Sequence, residues 1–212
     1  MNEQSRLRAS QIISQEYFID GLVIVRTQDA GVNCASGGSY SIEVSGNIGP
    51  DSSFAIEELL KRSPNCLGGN SEILSRTNVI LDSLGGLLED GYAMGRSFRT
   101  NNVKTLINSG YVCASSCAVA YLGGVERIME DEAMIMFHSP YRSGQNELGE
   151  RIADCNIGSD TTQILLNYYQ EMTSAEQGQR LMGRTMSYCS AEDGWVLRGS
   201  AAAELFGVAT QF

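Results

Sequence analysis

Hydrophobic and polar positions along this chain recur in two rhythms, one with period two and one at helical spacing. Within Tyr17 to Thr27 the run Gly21-Leu22-Val23-Ile24-Val25 is apolar and β-branched, and Tyr40 to Gly46 alternates, so both predict strands. Between them Gln28 to Ser39 holds three glycines and Asn33 and predicts turns. Phe54, Ile56, Leu59 and Leu60 are spaced for a helix over Phe54 to Arg62, followed by a loop from Ser63 to Ser71. Asn78 to Leu81 predicts a short strand that enters the turn Asp82-Ser83-Leu84-Gly85-Gly86. Leu87 to Thr100 continues as a helix whose small residues Gly91, Ala93 and Gly95 permit close packing. Val103 to Ile107 is another strand, and Val112 leads into Cys113-Ala114-Ser115-Ser116-Cys117. Ala118 to Leu122 predicts a buried helix ended by Gly123-Gly124, and Ala133 to Phe137 a strand with His138 at its end. Leu148 to Met172 reads as mostly helical and Ala201 to Phe206 as a last short helix, while the residues to about Ser14 form a polar arm or short helix.

Strands alternating with helices predict an α/β layered fold with largely parallel pairing. A length of 212 residues fits one domain. Hydrophobic residues at 42% and charged residues at 19% are an ordinary globular balance. The formal charge of −10 repels phosphate backbones, which argues against nucleic acid as a partner. No apolar run approaches the roughly 18–20 residues that span a bilayer. The opening MNEQSRLRAS lacks the apolar core of a secretory signal, so if the protein is exported its signal or anchor has been removed from this chain.

That question matters because of six cysteines, Cys34, Cys66, Cys113, Cys117, Cys155 and Cys189, with no CxxC pair and a single histidine. The pattern opposes a zinc site, and no metal or other cofactor is expected. It favours disulfides and an extracytoplasmic, periplasm-like location, with free thiols in the cytoplasm as the alternative. Cys34, Cys66, Cys155 and Cys189 are the better disulfide candidates. Cys113 and Cys117 read as small buried hydrophobes lining their turn.

Two strand-to-helix turns carry chemistry. Glycines at Gly85-Gly86 let the backbone approach a substrate and leave N–H groups pointing outward. A serine at Ser115-Ser116 presents a hydroxyl at a helix start, and the N–H of the next residue can face a developing oxyanion. A serine needs a base to take its proton, and His138 is the one histidine available. Each part also has a plain structural reading: an N-cap serine, a Gly-Gly turn, a histidine closing a strand.

The order and spacing of these strings resemble a known family. VILDSLGGLLEDGYAMG resembles the glycine turn of the Clp protease proteolytic subunit, although Leu84 replaces the usual proline. CASSCAVAYLGGVER resembles the nucleophile turn of that family, with nine positions from Ser115 to Gly124, and MIMFHSP resembles its His-x-Pro strand end. The similarity is strongest to ClpP-like periplasmic proteins within the wider crotonase superfamily. It covers Tyr40 to the C-terminus, leaving 1–39 as an N-terminal arm with an extra strand and 40–212 as the hydrolase-like domain.

The resemblance implies a ClpP/crotonase-like spiral of parallel strands with flanking helices. It implies a serine peptidase acting on a peptide or protein substrate, with homo-oligomeric assembly. It further implies Ser115 as nucleophile, His138 as base, and Gly86 and Ser116 as oxyanion donors. Asp193 is implied as the third catalytic group, because Glu192-Asp193-Gly194-Trp195-Val196 precedes a last helix in the family's order, with a spacing about two residues off. Asp154 and Asp160 are the alternatives. A crotonase-type acyl-thioester enzyme, or a ClpP-like assembly module without catalysis, are the competing readings.

Overall fold

The computed structural model describes residues 12–19, 21–29, 39–145, 148–190 and 192–210. Strands β1 (Ile12–Ile19) and β2 (Leu22–Asp29) form an antiparallel hairpin, and β2 pairs antiparallel with β3 (Tyr40–Ile48). Chain continues through helix α1 (Ser52–Lys61) and a small antiparallel pair, β4 (Cys66–Leu67) with β5 (Ile73–Ser75). From β3 onward the pairing is mainly parallel: β6 (Asn78–Gly86) lies beside β3, and β7 (Lys104–Ile107) lies beside β6. Helix α2 (Leu88–Thr100) makes the crossover from β6 to β7.

The sheet then forks at β6. Its first half, Asn78 to Ile80, pairs with β7, which in turn pairs with β9 (Glu126–Met129). Its second half meets β8 (Val112–Ala114) through Ser83 and Cys113, and β8 runs parallel to β10 (Met134–Phe137). Helix α3 (Ser116–Tyr121) leaves β8 directly. An exposed hairpin, β11 (Arg142–Gln145) with β12 (Arg151–Asp154), follows β10. Helices α4 (Gly158–Met172) and α5 (Ala175–Thr185), strand β13 (Trp195–Arg198) against β10, and helix α6 (Gly199–Leu205) complete the fold. The result is an α/β architecture with a largely parallel central sheet and flanking helices.

Alternation drives this arrangement. Ile42 and Val44 on β3, Val79 and Leu81 on β6, and Ile135 and Phe137 on β10 point inward and are buried. Each such side chain contributes about 1.5–3 kcal/mol by leaving water. Leu22 and Ile24 of β2 are buried in the same core, so the hairpin is an extension of the main sheet. The small residues of α2 act as expected. A Cβ on Gly91 would lie 2.7 Å from the Ser116 carbonyl oxygen, and one on Gly95 would strike the Tyr168 hydroxyl.

Three expectations change. The stretch expected as an arm or short helix to about Ser14 enters β1 at Ile12, while residues 1–11 lie outside the described residues. The loop from Ser63 to Ser71 contains β4. Leu148 to Met172 is divided, because Arg151–Asp154 pairs with β11 before α4 begins at Gly158. Cys34 and the turn around it, from 30 to 38, lie outside the described residues.

Candidate active site

The fork at β6 sets two strand ends side by side; Asp82 to Gly86, expected as a turn, is the last part of β6, with Gly85 and Gly86 paired to Asn47 and Ile48 of β3. In the first, Ser83 Oγ donates to the Gly46 carbonyl and accepts from the Gly85 N–H at 3.0 Å. Gly85 and Gly86 take φ of 99° and 149°, conformations that side chains rarely adopt. A Cβ on Gly86 would run into the Ile48 carbonyl. A Cβ on Gly85 would lie 2.7 Å from Ser115 Cβ and 3.0 Å from Ser116 N, so the two strand ends abut.

Ser115 sits on the turn that follows the second strand end, with φ 57° and ψ −125°. Such a conformation costs a non-glycine residue about 1–3 kcal/mol and persists only where its surroundings impose it. Here the Ser115 N–H donates to the Met136 carbonyl at 2.9 Å, and its own carbonyl accepts from the Val119 N–H at 3.1 Å. A sharp strand-to-helix turn of this kind exposes the serine hydroxyl. Ser116 points the other way: it is 1% exposed, and its Oγ is buried with no hydrogen-bond partner. Its N–H opens α3, where no earlier turn supplies an acceptor.

Cys113 and Cys117 are joined as a disulfide that spans this turn, with Cα atoms 5.2 Å apart. The expectation of two unlinked buried hydrophobes is thereby corrected, although both residues are indeed fully buried. A second disulfide joins Cys155 to Cys189. Cys66 is also disulfide-bonded.

His138 follows β10 and is largely buried. Its Nδ1–H donates to the Ser139 carbonyl at 2.9 Å, which leaves Nε2 as the free basic nitrogen. Ser139 is itself held, since its N–H donates to the Tyr188 carbonyl at 2.8 Å and its Oγ to the Thr185 carbonyl at 3.3 Å. Ser115, Gly86 and His138 line one cavity of about 880 Å³. Its apolar wall includes Val119, Leu165 and Tyr169. Burial pushes the Tyr169 phenol above its usual range, so it stays neutral there, 3.2 Å from Thr185 Oγ1. Ser115 and His138 are not hydrogen-bonded to each other in this structure.

The aspartates are placed elsewhere. Asp193 is exposed in the segment before β13, with its N–H on Ser190 Oγ at 3.1 Å, and it makes no hydrogen bond to His138. The imidazole has a backbone carbonyl where a carboxylate was expected. Asp154 Oδ1 accepts from the Asn156 N–H at 2.9 Å, and Asp160 lies in the first turn of α4. The Ser139 carbonyl was missed in the sequence because a backbone oxygen carries no residue signature. Among the described residues no cluster of three or more His, Cys, Asp or Glu is placed to hold a metal ion.

No family model matches the sequence, and no curated protein does. Solved structures do resemble it. A mutant of the 1510-N membrane-bound stomatin-specific protease is 16% identical with a TM-score of 0.57, over 80% of this chain and 75% of that one. ClpP1 from Listeria monocytogenes is 16% identical with a TM-score of 0.52, over 80% of this chain and 88% of that one. Another mutant of the stomatin-specific protease, in complex with a substrate peptide, is 15% identical with a TM-score of 0.55, over 80% and 71% of the two chains. At these identities the likeness shows the fold, which is ClpP-like.

Proposed function

We propose that this chain is a serine peptidase that cleaves peptide bonds through an acyl-enzyme on Ser115. One observation carries the reading. Of two adjacent serines, the one on a strained turn shares a cavity with the chain's sole histidine, whose Nε2 is left free as a base. The stomatin-specific protease and ClpP1, which share the fold, support peptide as the substrate class.

In this mechanism Ser115 Oγ attacks the scissile carbonyl while His138 Nε2 takes its proton. The oxyanion is met by the N–H groups of Gly86 and Ser116 at the two abutting strand ends. His138 then gives its proton to the leaving amine, and water, activated by the same nitrogen, releases the acyl group. The Ser139 carbonyl does the orienting that a carboxylate does in a triad, so the catalytic unit is a Ser-His dyad. Apo geometry is often loose and tightens with substrate bound, which fits the unmade Ser115–His138 bond.

The same reading places the protein outside the cytoplasm, acting as a homo-oligomer on a peptide or protein substrate. The disulfides support the location, and the family resemblance supports the assembly. The test incubates the protein with a peptide library and, separately, with acyl-CoA thioesters, using Ser115→Ala as the blank. Cleaved amide bonds with the wild type alone support the peptidase. Thioester turnover alone would favour the crotonase-type reaction, and no turnover of either would favour an assembly module.

A further inference from the structure

We infer that the Cys113–Cys117 disulfide is a positioning element for the nucleophile: it holds Ser115 in the conformation that aims its hydroxyl into the cavity. The inference rests on the reading of Ser115 as nucleophile. The bridge closes over only Ala114, Ser115 and Ser116, and the middle residue of those three has the positive φ. Cys113 is fixed from outside by its register in the sheet, opposite Ile135 on β10 and Ser83 on β6. Cys117 is fixed by the second position of α3. With both ends anchored, the covalent link limits how far the intervening backbone can relax toward an ordinary negative φ.

The pressure to relax comes from the residue itself, because L-residues disfavour this region. The surroundings supply little room for error. Gly85 lies close against Ser115 Cβ and Ser116 N, so a shift of the turn moves both the hydroxyl and the N–H proposed above as an oxyanion donor. Both sulfurs lie in the core, away from the cavity lining, so the bridge acts on the serine through the backbone and touches no substrate. The second described disulfide, Cys155–Cys189, spans a separation of 34 residues and does not enclose a site residue of the dyad.

The experiment measures inactivation by a fluorophosphonate, resolved into the binding constant KI and the chemical rate constant kinact, for wild type and C113A/C117A. Circular dichroism confirms that each protein is folded at the assay temperature. The expected result is a kinact lower by about 100-fold in C113A/C117A with KI within about threefold of wild type, since small misplacements of a reacting group cost this much. If C113A/C117A fails to fold, C113V/C117A refills the volume of the two sulfurs and is measured instead. A folded variant with wild-type kinact overturns the inference while leaving the serine nucleophile in place. A wild type that does not react at all overturns the nucleophile reading, and this inference with it.

Discussion

His138 hydrogen-bonds through Nδ1 to the carbonyl of the residue that follows it, Ser139, at 2.9 Å. Because a carbonyl can only accept, the bond selects the tautomer with hydrogen on Nδ1 and a lone pair on Nε2. The ring is thus prepared as a base without a carboxylate. Asp193→Asn is therefore expected to change the fluorophosphonate reaction rate by less than about threefold. Loss of a true triad acid typically costs about 10⁴. Stopped-time labelling of Asp193→Asn beside wild type separates the two outcomes.

The Gly85-Gly86 strand end makes a second prediction. A side chain at Gly85 would press on Ser115 Cβ and the Ala114 carbonyl, both 2.7 Å from the new atom, in a backbone conformation that L-residues avoid. Gly85→Ala is expected to destabilise the fold by about 2–4 kcal/mol, the range for a strained position with no space to yield. It is also expected to abolish labelling even in the fraction that remains folded. Urea unfolding combined with labelling at low denaturant reads both effects.

Cys155 and Cys189 close a loop across a sequence separation of 34 residues and tie the segment after β12 to the segment before β13. Removing the bridge as C155A/C189A should lower stability by about 3–4 kcal/mol through the larger entropy of the unfolded chain. Peptide mapping without reduction should recover the Cys155–Cys189 and Cys113–Cys117 pairs. Recovery of those four cysteines as free thiols would remove the support for an extracytoplasmic location.

Arg127 is a separate stability element. It is 6% exposed, and its guanidinium donates from Nε to the Val208 carbonyl at 2.7 Å and from NH1 to the Gly124 carbonyl at 3.1 Å. Burial pushes its pKa down to about 10, so it stays charged at neutral pH. Arg127→Met strands those carbonyls and should cost about 2–4 kcal/mol in chemical denaturation. The labelling rate of the folded protein should be unchanged, since the side chain lies outside the cavity lining.

Local pattern explains which parts of this fold could be read from the sequence. The strands around Ile42, Val79 and Ile135 and the helix through Gly91 and Gly95 follow from apolar spacing, which tertiary packing reinforces. Ser115, Gly86 and His138 are singled out in the sequence by their places at strand ends and by the family resemblance, and all three line one cavity. Strand β9 opens on the charged pair Glu126-Arg127 and β13 ends on Arg198, so neither shows an unbroken apolar run, and each forms against a neighbouring strand, β7 and β10. Helix α5 is capped by Ser174, whose side chain accepts from the Gln177 N–H at 3.2 Å, and buries Leu181 and Met182, while Gly178 and Gly183 mask its helical pattern in the sequence. The Cys113–Cys117 bridge was missed because four residues of separation allow it only when the intervening turn folds back, and that depends on φ at Ser115.

An activated Ser115 beside an unreactive Ser116 is what separates a serine peptidase from an inert chain of the same fold. The most direct measurement is intact-protein mass spectrometry after fluorophosphonate treatment, with peptide mapping of the adduct, for wild type, Ser115→Ala, Ser116→Ala and His138→Gln. One adduct is expected on Ser115 in wild type and none in Ser115→Ala. Ser116→Ala should react at close to the wild-type rate, because its buried Oγ makes no hydrogen bond to lose. His138→Gln should react slower by several orders of magnitude, as losing one member of such a unit typically costs up to about 10⁶. An adduct on Ser116, or equal labelling of wild type and Ser115→Ala, would contradict Ser115 as the nucleophile.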